Sequence, residues 1–213
     1  MTKILFFLNT AFDVSKVNNI PVERGGERVN QFVNGINKLF EYEFESNVTF
    51  ILSDNTISDK SKIDNKILDV IPSNVNFNLK EDNKLGSKNK GAGVLVSWKR
   101  SYDEISNYDY VVHFEPRLLL NDFTFLNDFL GNPRTLITLG ENGDHFNTGL
   151  FSFDVKDFLK ILDNLNADNL VKSSQSIEYS IFNIVSRDNV KYDTINKMGV
   201  RWFDSEKQIH HNM

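Results

Sequence analysis

Residues 108–117 have the sequence YDYVVHFEPR, and residues 3–9 have the sequence KILFFLN. Each contains a short continuous apolar run, which is typical of a strand buried on both faces. Three further runs, VTFIL at 48–52, VNFNL at 75–79 and TLITL at 135–139, also have the composition of strands. Because helical patterns separate most of these runs, the sequence predicts a mostly parallel sheet covered by helices on both faces.

The segments between the predicted strands carry apolar residues at helical spacing. The longest pattern follows Gly25-Gly26, and a second spans residues 94–105. Shorter patterns occupy residues 56–71, 123–130, 155–165 and 177–185. No internal repeat or linker divides the chain, so we predict one three-layer α/β/α domain over residues 1–205. Residues 206–213 are predicted to form a C-terminal tail; its adjacent His210 and His211 would suit a metal ion, and the alternative is that the tail is disordered.

Composition restricts the class of protein. The 213 residues include no cysteine, which excludes disulfides, thiolate metal sites and cysteine nucleophiles. The net charge of −5 disfavours a general nucleic-acid binder. The apolar run near the N-terminus is too short for a signal peptide, and no run reaches the about 18 apolar residues of a membrane span. We therefore expect a cytoplasmic protein with no integral membrane segment; the sequence leaves open a homodimer.

Polar residues follow the first predicted strand. In open α/β sheets, ligands bind beyond the carboxyl ends of the strands, so this loop is a candidate site. Asn9 and Thr10 come directly after the apolar run, and Arg24 and Arg28 follow further along the chain. Amide and hydroxyl groups here suit recognition of a base or ribose, although ordinary turn chemistry gives the same pattern.

A glycine-bearing segment, Asn89-Lys90-Gly91-Ala92-Gly93, stands just before a predicted helix. Glycines allow close approach of a ligand, and a helix N-terminus favours an anion such as phosphate. The segment is not a dinucleotide-binding fingerprint, because no buried strand directly precedes it and the third glycine is missing. It is not a Walker loop either, because the Gly-Lys-Ser/Thr sequence is absent.

The strongest predicted strand ends at Glu115-Pro116-Arg117. A carboxylate at this position suits a metal ion or a sugar hydroxyl, and Arg117 suits a phosphate. The alternative is that Glu115 and Arg117 form an ion pair with each other on the protein surface and bind no ligand.

Later residues supply further candidates. His145, Asn147, Thr148 and Gly149 surround a bend that suits the wall of a pocket. Glu178 lies on a helix among serines, where a carboxylate is either functional or simply solvated. No Ser-His-Asp set or nucleophile elbow is present.

The order of these pieces resembles the GT-A nucleotide-sugar glycosyltransferases. KILFFLNT is similar to their first strand, and NKGAGVLVSWKRSYDEI to the loop and helix before their acidic motif. YDYVVHFEPR is similar to the acidic-motif strand, FNTGLFSF to the bend beyond it, and SIEYSIF to a later helix. The resemblance spans about residues 1–205, and it implies the GT-A fold.

The same resemblance implies a function. A sugar would pass from a nucleotide-diphosphate donor, of UDP or GDP type, to a hydroxyl acceptor such as a glycan, in cell-surface polysaccharide or glycan assembly. Asn9, Thr10, Arg24, Arg28, the 89–93 segment, Glu115 and Arg117 would bind the donor. His145, Asn147, Thr148 and Gly149 would line the acceptor pocket. Glu178 and Glu141 are the candidates for the base that an inverting enzyme needs.

The chain departs from the family at the acidic motif. Where the family carries Asp-x-Asp for a divalent metal, this sequence has Phe114-Glu115-Pro116-Arg117. Three alternatives follow. Arg117 and Lys90 would replace the charge of the metal, or Glu115 would bind Mn²⁺ or Mg²⁺ together with phosphate oxygens. In the third alternative, the activity would be weak or lost. A non-catalytic nucleotide-sugar-binding protein and a nucleotidyltransferase are therefore alternatives; the latter needs glycines after the first strand, which residues 9–23 lack.

Overall fold

The computed structural model describes residues 1–13, 15, 25–204 and 209–212. The described strands are β1 (Ile4–Thr10), β2 (Val48–Asp54), β3 (Val75–Leu79), β4 (Tyr110–Phe114), β5 (Leu119–Leu120), β6 (Leu136–Ile137), β7 (Leu150–Asp154), β8 (Asp193–Thr194), β9 (Val200–Asp204) and β10 (Ile209–Asn212). The described α-helices are α1 (Gly25–Phe40), α2 (Asn65–Leu68), α3 (Lys90–Arg100), α4 (Tyr102–Ile105), α5 (Thr124–Gly131), α6 (Val155–Asn164), α7 (Ala167–Ser173) and α8 (Ile177–Arg187).

The central sheet has the strand order β3-β2-β1-β4-β7-β6-β8. Strands β1 to β4 are mutually parallel, while β7 runs antiparallel to both β4 and β6. The chain therefore builds β2 and β3 on one side of β1, then returns to place β4 on the other side. This reversal makes the space beyond the ends of β1 and β4 a topological switch point, where open α/β sheets bind ligands.

Alternate residues of the strands pack on opposite layers. Leu5 and Phe7 of β1 join a core with α3, α6 and α8, whereas Phe6 and Leu8 join a core with α5 and the small β10-β9-β5 sheet. Helix α1 covers the second face as well, through Leu39. The predicted three-layer α/β/α fold with a mostly parallel sheet is thus confirmed.

Two local predictions differ from the structure. The apolar spacing predicts one helix over 94–105, but the helix ends at Arg100 and a short second helix begins at Tyr102. The backbone of residues 209–212, predicted as tail, forms β10 and pairs antiparallel with β9. A pairing of this kind depends on strands distant from the tail, so local sequence does not reveal it.

One histidine is part of the core. His113 on β4 is completely buried, and its ring stacks between Phe7 and Phe151. The Trp98 indole N–H donates to His113 Nδ1 over 3.1 Å, which places the ring proton on Nε2. Burial lowers the pKa of His113 from 6.5 to about 4, because the charged ring would lose its hydration.

We therefore expect His113 to destabilise the fold in acid. The unfolded chain accepts a proton on this ring below pH 6.5, whereas the folded chain resists it until about pH 4. Above pH 6.5 the neutral His113 ring causes no loss in the free energy of unfolding. As the pH falls through 4, protonation of the unfolded chain lowers that free energy by about 3 kcal/mol in total. His113→Gln removes the titration and keeps an acceptor for Trp98. Denaturation at pH 7 and pH 4 should show a smaller acid loss in the variant; equal losses would contradict the prediction.

Candidate functional site

The carboxyl edge of the central sheet, where β1 to β4 end and β7 begins, gathers most of the predicted site residues. The loops after β1, β2, β3 and β4 all open on this edge because those strands are parallel. Helices α3 and α8 also begin here: the Asn89 side-chain N–H₂ donates to the carbonyl of Gln175, and Gly91 lies against Ile177. Arg24, predicted to bind the donor, lies outside the described residues.

Asp54, which was not predicted, organises the loops after β1 and β2. Its buried carboxylate accepts hydrogen bonds from the Thr10 hydroxyl, the Phe12 amide, the Thr56 amide and hydroxyl, and the Ile57 amide. Thr10, predicted to bind the donor, is therefore buried and uses its proton to hold this loop. In the sequence, Asp54 is a carboxylate that ends an apolar strand before two small polar residues, a pattern that solvated residues share.

Arg100, also unpredicted, joins the ends of β2 and β3. Its guanidinium donates to the Ser53 hydroxyl over 2.9 Å, to the Asp54 carbonyl over 3.2 Å and to the Asn78 carbonyl over 3.2 Å. It also forms an ion pair with Asp82 at 3.0 Å. As the last residue of an amphipathic helix it would be expected in solvent, so the sequence carried no clear signal for this role.

The turn after β4 presents Glu115 and Arg117. The Leu118 amide donates to the Glu115 carbonyl, and Pro116 occupies the second position of the turn, where its fixed φ is favourable. Arg117 and Glu115 form an ion pair at 3.2 Å and are 26% and 21% exposed. Helix α1 packs so closely on this turn at Gly35 that any Cβ there would overlap the Pro116 carbonyl oxygen.

Arg28 reaches the same region from α1. Its Nε donates to the carbonyl of Ala11, just beyond β1, over 3.1 Å, and its guanidinium carbon lies 5.3 Å from the centre of the Phe32 ring. Burial and the positive charge of Arg117 lower the pKa of Arg28 to about 10, while Glu115 and Asp54 act in the opposite direction. The structure thus brings together Arg28, Glu115 and Arg117, which are far apart in the sequence.

Asn9, near the carboxyl end of β1, has a side-chain oxygen that forms no hydrogen bond with the described residues. The side chain is half-buried, and its Oδ1 is buried without a hydrogen-bond partner in the part of the chain that is described. An unpaired buried acceptor is costly, so native structures usually retain one for a reason. At the switch point, a ligand donor is such a reason.

The 89–93 segment is mainly a joint between helices. Asn89 caps α3 by accepting from the Ala92 amide, and its N–H₂ also donates to the Leu170 carbonyl. Gly93 lies against Gly86, so a side chain at either position would meet the other backbone. Lys90 is exposed and forms no ion pair with the described residues, so it alone in this segment presents free positive charge to solvent.

The bend before β7 connects the two halves of the site. The Gly149 carbonyl accepts from the Glu115 amide over 2.9 Å, and the adjacent Thr148 hydroxyl donates to Glu178 Oε1 over 2.9 Å. Thr148 is buried and Glu178 is half-buried, in the first turn of α8. Glu141, the other predicted base, is fully on the surface.

His145 and Asn147 hold the outer part of this bend. The His145 Nδ1 lies 2.7 Å from Asp144 Oδ1, and its ring packs on Tyr179, whose hydroxyl donates to Asp144 over 3.4 Å. The Asn147 side chain donates to the carbonyl of Leu139 over 3.1 Å. Asn147 is therefore engaged with the backbone, and the Cε1–Nε2 edge of the His145 ring lies against Gly140.

A metal ion finds few ligands here. Over the described residues, no group of three or more His, Asp or Glu side chains stands close enough together to hold a cation. Glu115 is the sole predicted metal ligand, and it faces Arg117 instead. The lone carboxylate, already paired with a cation, does not fit the oxygen-rich coordination that Mg²⁺ or Mn²⁺ prefers. Over the same residues, no helix is long and apolar enough to cross a membrane.

Comparisons with known proteins bear on the fold. No family model matches the sequence, and no curated protein matches it. Among solved structures, a protein assigned as a nucleotide-diphospho-sugar transferase from Desulfovibrio desulfuricans G20 is similar, with a TM-score of 0.57 and 10% identity over 92% of this chain and 80% of that one. Mouse xyloside xylosyltransferase 1, in its apo form, has a TM-score of 0.50 and 10% identity over 91% of this chain and 84% of that one. At this identity the likeness concerns the fold alone. The chain has an α/β, GT-A-like fold.

Proposed function

We propose that this protein is a glycosyltransferase that moves a sugar from a nucleotide-diphosphate donor to a hydroxyl acceptor. The observation that carries the proposal is the position of Arg28 beside Arg117 at the turn after β4, next to the end of β1, where the Asn9 oxygen has no partner among the described residues. Cations suit the diphosphate, and an unpaired amide oxygen suits a donor group of the base or ribose. The fold supports this assignment, because both similar structures are named as sugar-transferring enzymes.

In this proposal the donor lies across the ends of β1 and β4. Asn9 accepts a hydrogen bond from the nucleoside, and the cations next to Glu115 take the negative charge of the diphosphate. That charge increases as the glycosidic bond breaks and the diphosphate leaves. Fixed positive groups that are already in place stabilise this change without reorganisation, which lowers the barrier.

The acceptor then approaches from the side of β7 and α8. As the anomeric carbon gains oxocarbenium character, the acceptor hydroxyl attacks it and its proton passes to a base. Glu178 is better placed than Glu141 for this task in an inverting reaction. It is half-buried, oriented by Thr148, and linked through Gly149 to the turn that carries Glu115. His145, Asp144 and Tyr179 form the outer wall on the acceptor side.

The finer assignments rest on the fold resemblance. We propose a donor of the UDP or GDP type and a glycan acceptor, in cell-surface polysaccharide or glycan assembly. A non-catalytic nucleotide-sugar-binding protein is the second candidate, because the carboxylate that stands at the family's acidic motif is engaged with Arg117. Such a protein would bind the donor and transfer nothing.

Nucleotide binding is the first test. A panel of UDP, GDP, ADP, CDP and their sugar conjugates should include at least one that raises the melting temperature and binds by calorimetry, because a ligand that binds only the folded state stabilises it. Asn9→Ala should weaken binding of that nucleotide by about tenfold, since it removes one hydrogen bond to a buried partner.

The control is Arg187→Gln, on the surface at the end of α8, whose guanidinium pairs with its neighbour Asp188. It should bind like the wild type. No thermal shift with any nucleotide or nucleotide sugar at millimolar concentration would refute the proposed function.

Glu178→Gln tests the base. Glutamine keeps an acceptor for the Thr148 hydroxyl but takes up no proton, so we expect kcat to fall by about 10²- to 10⁴-fold with donor KM little changed. Turnover of the nucleotide sugar identified by the binding panel supplies the measurement. The comparison variants are Glu141→Gln and Asp157→Asn; Asp157 is a first-turn carboxylate of α6, at the opposite edge of the sheet.

Asp157→Asn should retain wild-type turnover. Full activity in Glu178→Gln together with loss in Glu141→Gln would transfer the role to Glu141. A wild type that binds the nucleotide sugar but never turns it over would favour the non-catalytic candidate.

A further inference from the structure

We infer that this protein binds the diphosphate of its ligand with a pair of guanidinium groups, Arg28 and Arg117, and without a divalent metal ion. We call these two residues the arginine pair. In this inference Glu115 positions Arg117 and is not a metal ligand. The inference rests on the proposed function, and its test separates the two.

Arg28 is held at one nitrogen, and its other donors form no hydrogen bond or ion pair with the described residues. Its Nε is fixed by the carbonyl of Ala11, and Phe32 lies beneath the guanidinium plane. No described carboxylate lies within ion-pair distance of its terminal nitrogens. A planar group held at one nitrogen presents its remaining N–H donors as a fork, which matches two oxygens of a phosphate.

Arg117 is held by the turn after β4. The turn that carries it is fixed by Pro116, by the bond from the Leu118 amide to the Glu115 carbonyl, and by the close packing of Gly35. Its contact with Glu115 uses one terminal nitrogen, at 3.2 Å, and leaves the others available. Packing at Gly35 also joins α1, which carries Arg28, directly to this turn.

Among the described residues, the positive charges at this turn outnumber the unengaged negative ones. The guanidinium groups of Arg28 and Arg117 interact electrostatically with each other and with one carboxylate, Glu115, which is ion-paired with Arg117. The nearby Asp54 carboxylate is already surrounded by five donors from Thr10, Phe12, Thr56 and Ile57. The effect of Arg117 in lowering the pKa of Arg28 has the same origin, repulsion between partly buried cations. An anion with more than one negative charge would relieve this repulsion, and a divalent cation would increase it.

Of the cations that the sequence suggested for the donor, we choose Arg28 rather than Lys90 as the partner of Arg117. The sequence suggested Lys90 with Arg117, but Lys90 lies on the surface at the start of α3, while Arg28 is partly buried beside Arg117. A bidentate fork in a partly desolvated site binds phosphate more strongly than an exposed ammonium does.

The experiment is calorimetry with inorganic pyrophosphate and with the nucleoside diphosphate that binds best, each in EDTA and in Mn²⁺. We expect the affinity in EDTA to lie within about threefold of that in Mn²⁺. Arg28→Gln and Arg117→Gln should each weaken binding by at least about tenfold, as expected for loss of a charge-assisted bond. Arg28→Lys should recover only part of this loss, because a lysine keeps the charge but not the fork. Arg187→Gln should bind like the wild type.

Glu115→Gln separates the two roles of that residue. If Glu115 only positions Arg117, glutamine can take over that role, and the site loses one negative charge. Binding of the nucleoside diphosphate in EDTA should therefore persist within about threefold. Nucleotide binding that needs Mn²⁺ or Mg²⁺ and disappears in Glu115→Gln would overturn the arginine inference but leave the proposed function intact. Metal-free binding that Arg28→Gln and Arg117→Gln both leave unchanged, with folding verified by circular dichroism, would overturn it as well. Absence of nucleotide binding under every condition would instead refute the proposed function.

Discussion

The buried carboxylate of Asp54 holds together the edge of the sheet on which the candidate site is built. Its two oxygens accept from the loop after β1, through Thr10 and Phe12, and from the loop after β2, through Thr56 and Ile57. A buried carboxylate is tolerated only when its lone pairs are satisfied, so these two loops have little freedom to move apart. Because Ala11 lies within the first of these loops, Asp54 also fixes the carbonyl that orients Arg28. The placement of Arg28, which we propose as a ligand-binding cation, thus depends on a residue that need not touch any ligand.

The sequence predicted the sheet well because its signal is local. Continuous apolar runs such as KILFFLN specify strands buried on both faces, and their alternation with helices predicts parallel connections. The parallel arrangement also predicted that Asn9 and Glu115 would lie at one edge. The sequence did not reveal Asp54 or Arg100, because a carboxylate and a guanidinium in those positions have the same local pattern as solvated residues. Their roles come from partners far along the chain, such as Ser53 and Asn78 for Arg100. The pairing of β10 with β9 was hidden for the same reason.

The residues of the 89–93 segment illustrate the difference between a motif and its use. A helix start with glycines is compatible with anion binding, and it is equally compatible with close packing. In the structure the Asn89 side chain caps α3 and donates hydrogen bonds to the carbonyls of Leu170 and Gln175. The glycines allow α3 to approach Ile177 and Gly86. What this segment supplies to the edge is the position of α3 relative to α8, and hence the position of Glu178.

A partly buried arginine pair and a metal ion solve the same electrostatic problem in different ways. A metal site must be built from several carboxylates, and it carries no positive charge until the ion binds. Arginines keep their charge under all physiological conditions, so the site bears their repulsion whenever the ligand is absent. Such a site needs a rigid frame, or the cations would move apart into solvent. The frame here consists of the Ala11 carbonyl and Phe32 for Arg28, and of the Pro116 turn seated on Gly35 for Arg117. Glu115, ion-paired with Arg117, acts on the pKa of Arg28 in the opposite direction to Arg117 and so offsets part of the repulsion. In our proposal, Glu115, Pro116 and Arg117 supply the tether, the turn and the cation from three consecutive residues.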